Sequence, residues 1–137
     1  AAVLGRELTV PELTQSVVLT RMPGRASAMP PAERLQAFAA TGATLVIHLA
    51  IQSIAAIVDQ LTPSYGADCP VAVVVRASWP DERVLRGTLG DISRRVSSEP
   101  IERTALVLVG RALEAHDFRE SALYDPDYRR RFRGERS

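Results

Sequence analysis

Short, continuous apolar runs recur along the 137-residue chain, and each has the length of a β-strand rather than of a helix. Val-rich runs of this kind are typical of strands that are buried on both faces of a parallel sheet. A further run, rich in Val and Thr, follows Pro11, a residue that marks the start of a strand. The pattern predicts strands over residues 13–20, 43–49, 70–75 and 104–109, and a short strand or a turn over 84–89.

The segments between these runs place apolar residues three and four positions apart, which is the spacing of one helix face. Proline in a first turn and glycine after a last turn set the expected limits of the helices. These limits are Pro31 to Gly42, Ile54 to Pro63 with Gly66, and Leu89 to Val96. Alternating strands and helices predict an α/β fold, namely a layered α/β domain with a mixed, largely parallel sheet flanked by helices.

Composition narrows the classes of function. All 17 basic residues are Arg and the formal net charge is +1, so no overall electrostatic case exists for a nucleic-acid partner. The absence of Lys excludes Schiff-base and P-loop chemistry. The longest apolar run is too short to cross a membrane and no signal peptide is visible, so we expect a cytoplasmic protein without a membrane partner. Cys69 is expected to be a small core residue.

The ends of the predicted strands form the candidate ligand site. Right-handed crossovers bring the carboxyl ends of parallel strands to one edge of a sheet, so residues 48–50, residues 76–79 and the loop after Arg21 are expected to meet there. Thr104 and Ala105 begin their strand and reach this edge only if that strand is antiparallel. Small and apolar residues at the edge suit an adenine and a sulfonium better than a phosphate, although their spacing also fits ordinary tight turns.

No catalytic or metal-binding constellation is apparent in the sequence. His48 and His116 have no partner at the spacing of a metal motif or a triad, so both are interpreted as structural and no metal is predicted. Asp81 and Glu82 are interpreted as loop acids rather than as an acid/base pair. Trp79 either caps the core, which we favour, or forms a wall of a ligand pocket.

Several strings of residues resemble the tetrapyrrole (corrin/porphyrin) methylase family, and the resemblance covers essentially the whole chain. The strings are residues 13–21, 42–47, 76–82, 86–92, 103–110 and 117–124. Residues 104–110 are shared loosely across the family. Residues 77–82 and 117–119 resemble those members that methylate precorrin-4 at C-11 during cobalamin biosynthesis, which yields precorrin-5.

The resemblance implies two α/β domains with S-adenosylmethionine bound in the cleft between them, S-adenosylhomocysteine as product, and a homodimer in the full-length protein. The chain would be the second domain (11–115), preceded by a linker or the end of the first domain (1–10) and followed by an Arg-rich arm (116–137). The Gly-rich motif of the family's first domain is absent, so the chain alone is expected to be inactive or nearly so. The alternative is a non-catalytic dimerisation or substrate-binding module; an RNA-binding domain that uses the Arg-rich arm is the least favoured interpretation.

The resemblance also suggests roles for individual residues, but it names no catalytic base. The implied cofactor-binding residues are Leu49, Ala77, Ser78, Thr104 and Ala105. From their position and charge, three arginines are candidates for binding the acetate or propionate groups of the tetrapyrrole, since Arg recognises carboxylates by paired hydrogen bonds. These three are Arg21, Arg25 and Arg76.

Overall fold

The structure is a computed structural model and describes residues 3–5, 7–23, 28–99, 101 and 103–114. Its centre is a five-stranded sheet in the order β1-β2-β5-β3-β4. The strands are β1 (Val17–Arg21), β2 (Thr44–His48), β3 (Pro70–Val75), β4 (Arg83–Thr88) and β5 (Ala105–Val109). The helices are α1 (Leu35–Ala39), α2 (Ile54–Tyr65) and α3 (Ile92–Ser97), and short 3-10 turns span Pro31–Glu33, Ile51–Ser53 and Arg111–Glu114.

Strand direction confirms a mixed α/β sheet but contradicts a largely parallel one. The strands β1, β2 and β3 point the same way, yet only the β1–β2 pair is parallel among the four neighbouring pairs. The other three pairs are antiparallel because β5 inserts between β2 and β3 in the opposite direction, and because β4 folds back on β3 as a hairpin. For residues 84–89 the sequence left open a short strand or a turn. The hairpin shows that they are mainly strand.

The two faces of the sheet are covered differently. The three helices pack on one face, where Ile47, Val73 and Val107 are fully buried in the larger core cluster. On the opposite face Val46, Val74 and Leu108 form a smaller cluster with Leu4 and Leu113. Two hydrogen bonds hold the segment before β1 against this second face: Arg86 Nη2 donates to the Leu4 carbonyl (2.8 Å) and Thr44 Oγ1 donates to the Leu8 carbonyl (2.6 Å).

Two element boundaries on the amino-terminal side differ from the sequence-based prediction. The strand β1 begins at Val17 rather than at residue 13, because residues 10–14 close a tight turn in which Val10 and Thr14 exchange backbone hydrogen bonds of 2.9 and 3.0 Å. Glu12 adopts a φ of 69° within this turn. The helix α1 begins at Leu35, because Pro31–Glu33 form a separate 3-10 turn.

Two other helix boundaries also differ from the prediction. Pro63 lies inside the last turn of α2; the helix ends at Tyr65, and Gly66, with a φ of 85°, caps it as the sequence predicted. A proline this close to the end removes only one intrahelical hydrogen bond, so the helix continues past it. The helix α3 begins at Ile92 rather than at Leu89, because the Asp91 carboxylate accepts the Thr88 backbone N–H (2.8 Å) and so closes a turn before the helix.

Candidate functional site

The strand ends meet at one edge of the sheet. Arg21 and His48 are register partners at the ends of β1 and β2, and the Met22 N–H donates to the His48 carbonyl (3.4 Å). Because β5 is antiparallel to β3, its first residue Ala105 pairs with Val75. The Arg76 N–H donates to the Thr104 carbonyl (2.8 Å). Thr104 and Ala105 were expected to reach this edge only if their strand is antiparallel. The strand is antiparallel, so both residues lie at the edge.

The backbone at this edge adopts an unusual conformation. Positive φ angles occur at Leu49 (54°), Arg76 (50°), Ser78 (70°) and Thr104 (57°), which are four of the five non-glycine residues with positive φ in the described part of the chain. Such angles are uncommon for residues with a Cβ, and for a β-branched residue such as Thr104 they are strained. Strain of this kind concentrates at functional sites, where the surrounding structure maintains it.

The side chains of the predicted cofactor-binding residues lie mostly at the surface. Leu49 is 81% exposed, which is unusual for a large aliphatic residue next to a buried strand. Ala77, Ser78 and Thr104 are exposed, and Ala105 is half-buried. The edge thus offers one projecting apolar side chain and several small or strand-end residues with accessible backbone.

Hydrogen bonds within the loop after β3 fix its shape. Arg76 Nε lies 2.8 Å from Asp81 Oδ1, and its guanidinium carbon lies 4.0 Å from the centroid of the Trp79 ring. The Ser78 N–H donates to Glu82 Oε2 (2.6 Å). The hydrogen bond from Arg76 holds the pKa of the Asp81 carboxyl below its usual range. Both acids thus make hydrogen bonds within the loop, and their interpretation as loop acids rather than as an acid/base pair stays a prediction.

Trp79 corrects one sequence-based interpretation. We favoured a role in capping the core, but the side chain is 52% exposed and lies against a cation rather than among core residues. Pro80 follows it directly, and the loop carries the chain away from the core at this point. Stacking of the Arg76 guanidinium on Trp79 is a cation–π contact, which stabilises an exposed pair by about 0.5–1 kcal/mol.

An open pocket of about 430 Å³ lies beside Arg21 and His48. Its lining residues come from β1, the end of β2, the loop before α1 and α1 itself: Leu19, Thr20, Arg21, Met29, Pro30, Glu33, Phe38 and His48. The sequence placed His48 at this edge and interpreted it as structural; the structure leaves its side chain exposed at the pocket. Its pairing with Arg21 could not be read from the sequence, because it depends on the register between two strands.

Some predicted features fall outside the described residues, namely Arg25, His116 and the Arg-rich arm over 116–137. Among the residues that are described, no group of three or more His, Cys, Asp or Glu side chains is arranged to hold a metal ion. The helices in the same part of the chain are all too short or too polar to cross a membrane. Cys69 is buried, as expected for a core residue.

The described part of the chain is an α/β domain whose strand ends form one exposed edge of the sheet. The chain belongs to the tetrapyrrole (corrin/porphyrin) methylase family, whose model matches residues 1–93. The chain is 69% identical over 134 residues to the precorrin-4 C(11)-methyltransferase of a Sinorhizobium species, a match that covers 98% of this chain and 53% of the relative. The chain therefore spans about half the length of that relative.

Solved structures share the fold. One of them is a cobalt precorrin-4 methyltransferase, described as a cobalamin biosynthetic enzyme, which superimposes on this chain with a TM-score of 0.78 at 34% sequence identity. The match covers 83% of this chain and 48% of the chain of that enzyme. A uroporphyrin-III C-methyl transferase from Thermus thermophilus, complexed with S-adenosylhomocysteine, has a TM-score of 0.66 at 22% identity over 80% of this chain and 46% of its own. This second likeness shows the fold alone.

Proposed function

We propose that the chain is the second domain of an S-adenosylmethionine-dependent methyltransferase that converts precorrin-4 to precorrin-5 by methylation at C-11, in cobalamin biosynthesis. The observation that carries this proposal is 69% identity, across nearly the whole chain, to a protein of that activity. Residues 11–115 would form the domain, 1–10 would connect it to a preceding domain, and 116–137 would form an arm. A cytoplasmic homodimer is part of the proposal.

The proposed cofactor surface consists of Leu49, Ala77, Ser78, Thr104 and Ala105. The Leu49 side chain would pack on the apolar part of the cofactor, because it projects from a strand end and is almost fully exposed. Thr104 and Ala105 would place backbone groups near the adenine, since the antiparallel β5 begins at this edge. Ala77 and Ser78 would allow close approach, because neither carries a bulky side chain.

Arg21, Arg25 and Arg76 are the proposed binding groups for the acidic side chains of the tetrapyrrole. Arg21 projects from the end of β1, and Arg76 is held by Asp81 and Trp79, so both guanidinium groups have defined positions. Arg25 enters the proposal from its place in the sequence alone. Paired hydrogen bonds from a guanidinium recognise a carboxylate with a geometry that an ammonium does not reproduce.

The role proposed for these residues is positioning. When bound, S-adenosylmethionine supplies an electrophilic methyl group, and the sulfur retains the electron pair of the broken bond to give S-adenosylhomocysteine. Arg21 and Arg76 would orient the tetrapyrrole so that its nucleophilic carbon faces this methyl group. Holding two reactants in line converts a bimolecular encounter into an effectively unimolecular step and supplies much of the rate.

Two measurements test the proposal. Calorimetric titration with S-adenosylhomocysteine should detect binding to the full-length protein and weaker or no binding to the isolated chain, because the cofactor site is proposed to be shared between two domains. The full-length protein should transfer a labelled methyl group from S-adenosylmethionine to precorrin-4. If the full-length protein binds no cofactor and transfers no methyl group, the alternative of a dimerisation or substrate-binding module is the correct one.

A variant of Leu49 tests the cofactor surface more directly. In the full-length protein, Leu49→Ala should weaken S-adenosylhomocysteine binding by about tenfold, because covering a leucine side chain contributes about 1.5–3 kcal/mol. Leu13→Ala is the matched control, since Leu13 is also an exposed leucine but lies in the turn before β1, at the opposite end of that strand. Equal affinities in the two variants would contradict the assignment of Leu49.

A further inference from the structure

The parallel ladder between β1 and β2 sets Arg21 and His48 side by side. Register partners on neighbouring strands lie about 4.8 Å apart and project to the same face of the sheet. The Met22 N–H donates to the His48 carbonyl, so the ladder continues to the edge and fixes both positions. Arg21 is half-buried and uses Nη1 to reach the Met22 carbonyl (3.4 Å), while the His48 side chain is exposed.

The pocket beside this pair joins two hydrogen-bond donors to an apolar wall. Leu19, Met29 and Phe38 line it together with Arg21 and His48. A guanidinium carries five N–H donors, and an imidazole offers at least one in either protonation state. An apolar wall contributes nothing to the binding of a free inorganic anion, but it does contribute to the binding of an apolar ring that bears an acidic side chain.

Size and charge restrict the occupant further. The volume of about 430 Å³ lies within the range of roughly 300–1,000 Å³ that is usual for small-molecule sites. Glu33 also lines the pocket, and its negative charge disfavours a second acidic group there. The surface is therefore matched to one ring edge with one carboxylate rather than to a polyanion.

We propose that His48 is a substrate-binding residue that, together with Arg21, binds one acetate or propionate side chain of the tetrapyrrole while the ring edge lies against Leu19 and Phe38. The inference rests on the proposed function, because it takes its ligand class from it. It adds a subsite on the β1–β2 side of the edge, separate from Leu49, Ala77 and Thr104. Both donors stand on strands, and side chains on regular elements hold a ligand more accurately than side chains on loops.

The test uses variants of the full-length protein and two readouts. In methyl transfer to precorrin-4, His48→Ala should raise KM for the tetrapyrrole about tenfold, the expected effect of losing one hydrogen bond to a charged group. The affinity for S-adenosylhomocysteine should not change. His48→Gln retains an N–H donor and should recover part of the loss. The double variant with Arg21→Ala should lose less than the product of the single losses, since both side chains bind the same carboxylate.

Equilibrium binding of uroporphyrin III, a stable tetrapyrrole with acetate and propionate side chains, separates this inference from the proposed function. Weaker uroporphyrin binding by His48→Ala supports the subsite even if the wild-type protein transfers no methyl group to precorrin-4. Unchanged uroporphyrin binding and unchanged KM in an active protein overturn the subsite and leave the methyltransferase proposal intact. A loss of cofactor affinity or of thermal stability in His48→Ala also overturns it, because His48 would then act on the cofactor or on the fold.

Discussion

Replacing Tyr65 with Phe removes a hydroxyl that joins the helical layer to the sheet. Tyr65 is the last residue of α2 and is only 7% exposed, and its hydroxyl donates to the carbonyl of Ala43, the buried residue that precedes β2. Phe keeps the ring and its packing but leaves the buried carbonyl without this donor. An unsatisfied buried group costs about 1–3 kcal/mol, so the free energy of unfolding at pH 7 should fall by roughly 2 kcal/mol.

The same hydroxyl makes stability depend on pH in a direction that can be worked out. Burial, with a smaller electrostatic contribution from the neighbouring Cys69, raises the pKa of Tyr65 from 10.0 to about 12. Between these two values the unfolded chain releases the proton while the folded protein keeps it, so stability falls as pH rises through this window. At pH 11 the wild-type protein should have lost about 1.4 kcal/mol through Tyr65, and Tyr65→Phe should lack this loss.

Urea unfolding followed by circular dichroism at pH 7 and pH 11 measures both effects. All other tyrosines and arginines are present in both proteins, so their titration cancels in the difference between them. The stability gap between wild type and Tyr65→Phe should narrow by about 1.4 kcal/mol at the higher pH. A gap that is the same at both pH values would refute the assignment of the raised pKa to this buried hydroxyl, and the absence of any gap at pH 7 would refute the hydrogen bond.

Two further predictions concern stability. Thr104→Asn should raise the free energy of unfolding by about 1 kcal/mol, because Asn tolerates the positive φ of this position better than a β-branched residue does. Thr104→Val is the control, since Val is also β-branched and keeps the strain. Equal stability of the two variants would contradict this reasoning. The backbone hydrogen bond from Thr88 and, to a smaller extent, the Arg95 side chain hold the pKa of Asp91 below its usual range. The stability that Asp91 contributes should therefore be present above about pH 4 and be lost as pH falls further, and Asp91→Asn should remove this dependence from acid-unfolding curves.

The sequence predicted the number of principal helices and most of the strands because burial leaves a local periodic signal. The third strand, Pro70–Val75, was predicted to the residue, since six consecutive buried positions stand out from their surroundings. The start of β1 was not predicted correctly. Two backbone hydrogen bonds between Val10 and Thr14 form a turn in place of the first part of the strand, and this turn leaves the hydrophobic pattern unchanged.

Loop side chains were harder to place than strand residues. The sequence identified the loop after β3 as the region to examine, and the family resemblance supplied proposed roles for its residues. The sequence did not place Trp79 correctly, because the local pattern does not show whether an aromatic loop residue turns toward the core or toward a cation at the surface. The contact with Arg76 decided between these possibilities, and that contact depends on the conformation of the whole loop.

What the sequence by itself determined is the α/β class, the approximate extent of the elements and, to within one residue, the carboxyl end of each strand. Only the tertiary structure decided which strand ends are neighbours. The insertion of β5 between β2 and β3 brings Thr104 to the edge, and the parallel register of β1 and β2 sets His48 beside Arg21. The physical reason is that hydrophobic periodicity reports the environment of each residue one at a time, whereas strand order and direction arise from contacts between segments that are distant along the chain.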